Sequence, residues 1–209
     1  MLLDLSAAFD AVDHSLLLTL LEQHFGIVGK ALDVLRSYLT RHSQCVSVEN
    51  ILSELTELIF GVQQGSVLGP IIFCMYTLPL GAILFHHQLG YHIYADNTQI
   101  YLRCDVQDPV SAIDKLNLAI NAVRSWMIKS KLKINDDKSE FIVLIQPHKQ
   151  GNVKDLQLQI GRCSVATSSQ AKNLGVIFDC ELTLKKQISS VCRSSFFHLR
   201  NSASVHIFD

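Results

Sequence analysis

No excess of positive charge runs through this chain: 18 Lys and Arg stand against 19 Asp and Glu, a formal net charge of −1. Affinity for nucleic acid comes largely from phosphate contacts, so strong independent binding to RNA or DNA is not expected. Paired or metal-binding cysteines are missing as well. The six cysteines (45, 74, 104, 163, 180 and 192) form no CxxC pair and have no histidine at zinc spacing. Four lie in apolar or strand-like runs, which predicts reduced thiols buried as small hydrophobes and an intracellular, cytoplasmic or nuclear setting. No leader is expected, because Met1 runs straight into LLDLSAAFD, with an acid where an apolar core would stand. Only 4 prolines and 10 glycines punctuate 209 residues, and no repeat, low-complexity tract or linker interrupts them.

What is present is apolar. Hydrophobic residues make up 48% of the chain and the mean hydropathy is +0.24, which excludes general disorder. One window, residues 66–85, is uncharged and long enough to span a bilayer. Gly69, Pro70, Pro79 and Gly81 divide it, and no basic flank or aromatic belt frames it. A core helix over residues 67–76 is the expectation, with no membrane association.

The remaining pattern alternates strands and helices. Residues 1–5 read as a buried strand. Residues 14–25 and 30–39 have helical spacing, the first stopping at Gly26. Residues 45–48 and 55–60 read as strands leading into the glycine-rich GVQQGS. Residues 91–95 and 98–102 have hairpin spacing around Asp96-Asn97, two turn-favouring residues. Ile113, Leu116, Ile120, Val123 and Met127 recur at three–four spacing across residues 109–130, the clearest helix in the chain. LKIN and EFIVLI flank a turn at residues 136–139. LQLQI and NLGVIF supply two further strands, and residues 183–200 a last helix. Strand clusters separated by long helices predict an α+β fold, a largely antiparallel sheet with helices packed on one face.

Two carboxylates stand out by position. Asp4 ends an apolar strand and Asp96 occupies a tight turn between two others. Nucleotidyl transfer by two divalent cations needs carboxylates that converge from neighbouring strands of a rigid sheet. Each aspartate alone is an ordinary turn-former or cap. Their contexts are more specific. LLDLSAAFDAVDH, GVQQGSVLGP, YADN, NDDKSE and NLGVIFD resemble, in the same order, five motifs of reverse transcriptases from non-LTR (LINE-type) retrotransposons, across residues 1–179.

The resemblance implies a polymerase palm at residues 1–180, with residues 181–209 beginning a thumb or connecting helix. It implies an RNA-directed DNA polymerase acting on RNA template, DNA primer and dNTP, with Asp4 and Asp96 holding two Mg²⁺ ions. Phe9 takes the place of an aromatic steric gate that favours deoxynucleotides. Gln64 and Gly65 match the segment that lies against nucleotide and template, where a bare backbone allows close approach. Lys138 falls in the region that assists pyrophosphate departure. Asp10, Asp13 and His14 also match but read as structural, with Asp13 or Ser15 capping the next helix.

Two positions depart from the pattern. Asn97 replaces the second aspartate of YADD, a neutral amide for a carboxylate, which weakens metal binding. Gln63 replaces a proline and loosens its loop. The family's fingers and endonuclease parts are expected to be missing, as in a truncated copy. The site is therefore expected to be impaired and the isolated chain inactive. The alternative is a non-catalytic relic acting at most as a weak interaction module.

Overall fold

The computed structural model describes residues 1–63, 65–146, 156–161 and 163–205, with residues 203–205 described through their backbone only. The architecture is mixed α/β with short, mainly antiparallel strands. Strands β1 (Leu2–Leu3) and β2 (Leu5–Ser6) occupy the expected opening strand, divided at Asp4. Helices α1 (His14–Phe25) and α2 (Lys30–Leu39) have the expected bounds. Asp13 caps α1 by accepting the backbone N–H of Leu16 at 2.9 Å, and Gly26 ends it in the left-handed conformation, φ +64°, as that position requires.

Next come β3 (Ser43–Gln44), β4 (Ser47–Val48), β5 (Ile51–Leu52) and β6 (Thr56–Glu57). The two strands expected here are in fact four short ones forming two small ladders, β3 with β6 and β4 with β5. They project from the body, leaving Val46, Val48, Ile51 and Leu55 exposed. Among the described residues no layer covers them, and their apolar residues do not join the core.

Helix α3 runs from Leu68 to His86, ten residues beyond the expected end. Pro79 lies inside it at the usual cost of one backbone hydrogen bond, which the packing of Ile72, Phe73, Tyr76, Leu80 and Leu84 outweighs. Gly81 is a packing residue rather than a breaker: a Cβ there would lie 2.8 Å from the Tyr91 hydroxyl. Among the described residues α3 is the one helix long and apolar enough to cross a membrane by length and composition. One side of it is sunk in the protein core.

The hairpin of β7 (Gly90–Tyr94) and β8 (Asn97–Tyr101) closes on Tyr94 opposite Asn97. Its two-residue loop is therefore Ala95-Asp96, one residue earlier than expected, with Ala95 left-handed at φ +50°. Helix α4 (Pro109–Lys129) buries Leu116, Ala119, Ile120, Val123 and Met127, while Ile113 is half-buried. It packs on α3 and on strands β9 (Lys133–Ile134) and β11 (Gln157–Ile160). Between them lie β10 (Phe141–Ile142) and a 3₁₀ turn over Asp136–Lys138.

Strand β12 (Cys163–Ser168) was not evident in the sequence. It pairs antiparallel with β11 and parallel with β10. NLGVIF is not one strand. Leu174-Gly175 is a turn, with φ +46° and +85°, joining β13 (Gln170–Asn173) to β14 (Val176–Asp179). Helix α5 (Lys185–Val205) packs on β14 and leaves Ile188, Val191, Phe196 and Leu199 exposed. The thiols also depart from expectation: Cys45, Cys74, Cys104, Cys163 and Cys192 are exposed and Cys180 is half-buried, all of them free. Those runs lie on outer faces, where a small side chain gains no cover.

Candidate active site

Strand alternation sets the first carboxylate. Leu3 and Leu5 are buried at 1% and 5% exposure, so Asp4 between them points to the opposite, open face. The strand also changes partners there. β1 pairs with β8, Leu2 opposite Gln99 and Leu3 opposite Thr98. β2 pairs with β9, Leu5 opposite Ile134. Continuing the β1–β8 register brings Asp4 opposite Asn97. Residues paired across antiparallel strands share a face, so Asp4, Asn97 and Gln99 face outward while Leu3, Thr98 and Ile100 face the core.

Asp96 follows immediately in the hairpin turn. The Asn97 side-chain N–H donates to Asp96 Oδ1 at 3.2 Å. Lys138 comes from the third side: its Nζ lies 3.6 Å from Asp4 Oδ2. The 3₁₀ turn that carries it is tied to the same strand, the N–H of Asn135 donating to the Asp4 carbonyl at 2.9 Å. Together Leu2, Leu3, Asp4, Asn97, Thr98, Lys138, Glu140, Lys172 and Asn173 line a cleft of about 440 Å³.

Glu140, Lys172 and Asn173 were not singled out from the sequence. Glu140 Oε2 accepts the Lys172 backbone N–H at 2.9 Å, and the Asn173 amide donates to Gln99 Oε1 at 3.2 Å. The signal available was the KN dipeptide just before the LG turn. It became informative only once residues 170–179 were known to be a hairpin.

The loop motif meets the first motif through backbone. Gly61 N–H donates to the Val12 carbonyl at 2.7 Å and Val62 N–H to the Phe9 carbonyl at 2.9 Å. Gly61 has φ +88°, and a Cβ there would lie 3.3 Å from Asp10 Cα; only glycine meets both demands. His14, 7% exposed, donates from Nε2 to the Gly61 carbonyl at 2.6 Å. It is a strut in the loop. Partial burial pushes the Asp13 carboxyl up, but hydrogen bonds from Ser15 and Leu16 outweigh this and hold it below the usual carboxylate range.

Phe9 stacks on Phe73 of α3, ring centroids 4.6 Å apart, and is half-buried in the core boundary. Gly65 has φ +80° with open space on its side-chain face. Gln64 lies outside the described residues. A second cleft of about 550 Å³ lies beyond this loop, with Asp10, Tyr38, His42, Glu57 and Gln63 in its walls.

The oxygen-bearing side chains at this end of the hairpin are the Asp4 and Asp96 carboxylates and the Asn97 amide. Among the described residues no three His, Cys, Asp or Glu side chains converge on one point, so the site does not resemble an all-protein metal cage. It fits Mg²⁺, which keeps several waters and is held through one or two carboxylates plus substrate phosphates.

A family model described as reverse transcriptase (RNA-dependent DNA polymerase) matches residues 1–178. The chain belongs to the reverse transcriptase family. This reverse transcriptase domain is 26% identical over 196 residues to a probable RNA-directed DNA polymerase from transposon X-element of Drosophila melanogaster, covering 90% of the chain and 20% of that relative. It is 26% identical over 199 residues to the RNA-directed DNA polymerase from mobile element jockey of Drosophila funebris, covering 92% and 21%. The chain thus spans about a fifth of these relatives, and it is of the LINE type they represent. Among solved structures, apo telomerase from Candida tropicalis, truncated from its C-terminal domain, matches with a TM-score of 0.58 at 14% identity, over 88% of the chain and 34% of that protein. At that identity the likeness carries the fold alone.

Proposed function

We propose that this reverse transcriptase domain is the palm of a LINE-type RNA-directed DNA polymerase, with Asp4 and Asp96 as its metal-holding carboxylates. One observation carries the reading: Asp4 faces outward opposite Asn97, whose amide is bonded to Asp96. Asp4 and Asn97 line the cleft, and Asp96 adjoins it from the hairpin turn. Bound there, Mg²⁺ would activate a primer 3′-hydroxyl and offset the charge developing on pyrophosphate. RNA template, DNA primer and dNTP are the proposed substrates, inside the cell.

The chain's own residues divide the remaining work. Asp4 and Asp96 would hold the cation. Lys138 lies on the Asp4 side of the cleft, where its ammonium can neutralise or protonate departing pyrophosphate. Phe9, fixed by Phe73, limits room at the sugar. Gly65, left-handed and open on its side-chain face, would lie toward the template. Residues 1–180 make the palm, and residues 181–209, beginning where Asp179 accepts the N–H groups of Thr183 and Leu184, start a thumb or connector.

Asn97 is the weak point. Its amide oxygen can ligate but contributes no charge, which favours a second reading, a domain that keeps the polymerase architecture without turnover. Mn²⁺ binding by the purified chain tests the site. Asp4→Ala should abolish the site and Asn97→Asp should tighten it; equal affinities across these variants would reject the assignment. Extension of a DNA primer on an RNA template is expected to be absent with Asn97. Template-dependent incorporation that disappears in Asp4→Ala would overturn the impaired reading.

A further inference from the structure

The Lys138 ammonium is the nearest cation to Asp4 at 3.6 Å among the ion pairs of the described residues, although its side chain is 71% exposed and that of Asp4 only 20%. An exposed lysine loses side-chain entropy when it pairs, so the pair depends on where its backbone is held. Two anchors hold this one. At the start of the turn, Asn135 N–H donates to the Asp4 carbonyl, and the Asn135 carbonyl accepts from Lys138 N–H at 3.2 Å and from the Ser139 hydroxyl at 2.9 Å. In its middle, Asp136 Oδ1 accepts from Arg124 Nη1 of α4 at 2.9 Å, both side chains about 30% exposed. Arg124 is itself confined. Its guanidinium lies across Gly161, where a Cβ would come within 2.7 Å of Cζ.

We propose that Arg124 is a positioning residue: through Asp136 it holds the turn that aims Lys138 at Asp4, where the ammonium is the carboxylate's counter-ion until a divalent cation displaces it. The inference rests on the reading of Asp4 as a metal ligand. It adds that Asp4 already has a counter-ion at rest, set in place by a group outside the cleft. A cation entering at Asp4 competes with an ammonium whose local concentration α4 fixes. Loosening either member of the Arg124–Asp136 pair frees Lys138 and makes Asp4 easier to occupy.

Mn²⁺ titration followed by water-proton relaxation reads this directly on the intact chain, without polymerase activity. Lys138→Met should tighten Mn²⁺ binding about two- to fivefold, the range that a part-exposed ion pair supports. Asp136→Asn is the decisive variant because two explanations differ in sign. General electrostatics predicts weaker cation binding when a negative charge is removed; release of Lys138 predicts tighter binding, approaching the Lys138→Met value. In the double variant Asp136→Asn should add nothing, and Arg124→Lys, which can still pair with Asp136, should stay near wild type. Weaker or unchanged binding in Asp136→Asn, or full additivity in the double variant, overturns the proposal. Should Asp136→Asn melt at the assay temperature, Arg124→Met replaces it, and its gain must vanish in the Lys138→Met background, where a long-range charge effect would persist. Binding that Asp4→Asn leaves unchanged in all backgrounds refutes instead the metal-ligand reading on which the inference stands.

Discussion

In a chain that starts at Met1, its amino group should make folding stability depend on pH between about 6 and 8. The residue is 7% exposed, and its nitrogen donates to the Ile100 carbonyl at 2.7 Å, closing the β1–β8 ladder. Burial disfavours the charged form and lowers the pKa from 8.0 to about 6. Between these values the unfolded chain binds a proton that the folded one does not, so stability rises with pH through the window. It is fully present above pH 8 and lost as pH falls through 6. Two pKa units correspond to about 2.7 kcal/mol, or roughly 5–10 °C in melting temperature for a domain of this size. The nine histidines titrate in the same range, so the measurement is a difference. Urea unfolding at pH 5.5 to 8.5 is compared for the chain with a free and with an acetylated amino terminus. Acetylation keeps the N–H donor and removes the charge. The two should coincide near pH 8.5 and diverge by about 2.7 kcal/mol at the acid end, the free amine being less stable. Parallel curves would refute the burial argument and mean that Met1, just before β1, frays to hydrate its ammonium.

Ile120→Asp should prevent folding, because it places an unpaired carboxylate where exposure is 0%; an unchanged melting temperature would remove α4 from the core. Gly61→Ala should cost about 1–3 kcal/mol from the left-handed backbone alone, and more if Asp10 cannot yield; equal urea midpoints would show that the two motifs do not meet as described. Asp13→Ala should cost about 1 kcal/mol through loss of the α1 cap. Its lowered pKa also makes that contribution present above the unfolded value and lost as pH falls, so the variant should show a shallower acid slope in the same denaturation series.

How much of this was legible depends on where the determining contacts lie. α1 and α2 were readable because their boundaries are local, set by an Asp13 cap, a Gly26 stop and apolar periodicity. The full length of α3 is not legible because Pro79 and Gly81 read as helix breakers, whereas core packing overrides the first and the Tyr91 ring explains the second. The β7–β8 loop shifted by one residue because cross-strand register prevailed over the turn preference of Asp-Asn. NLGVIF hid a turn behind apolar residues, one of which, Leu174, is 56% exposed.

Asp4 and Lys138, each part of a sequence motif, meet in one cleft. Glu140, Lys172 and Asn173 were not legible, because the cleft joins segments far apart in sequence and no local pattern encodes that meeting. The same holds for the Arg124–Asp136 pair, which links a helix face to a turn.

The two residues of β1 are hydrogen-bonded on both sides by segments that follow about a hundred or more positions later: Leu2 faces Gln99 across one edge and Glu140 across the other. The strand that leads into Asp4 is thus synthesised well before its partners and gains them late. At about 5–20 residues per second, a ribosome needs roughly 7–28 s to travel from Leu3 to Ile142. Through that interval MLLDL has both edges open, a sticky apolar segment awaiting its neighbours. The face that carries Asp4 is assembled by closure of long loops, which makes it slow to form. Premature termination anywhere before residue 140 should leave a nascent chain whose exposed opening strand invites chaperones or aggregation.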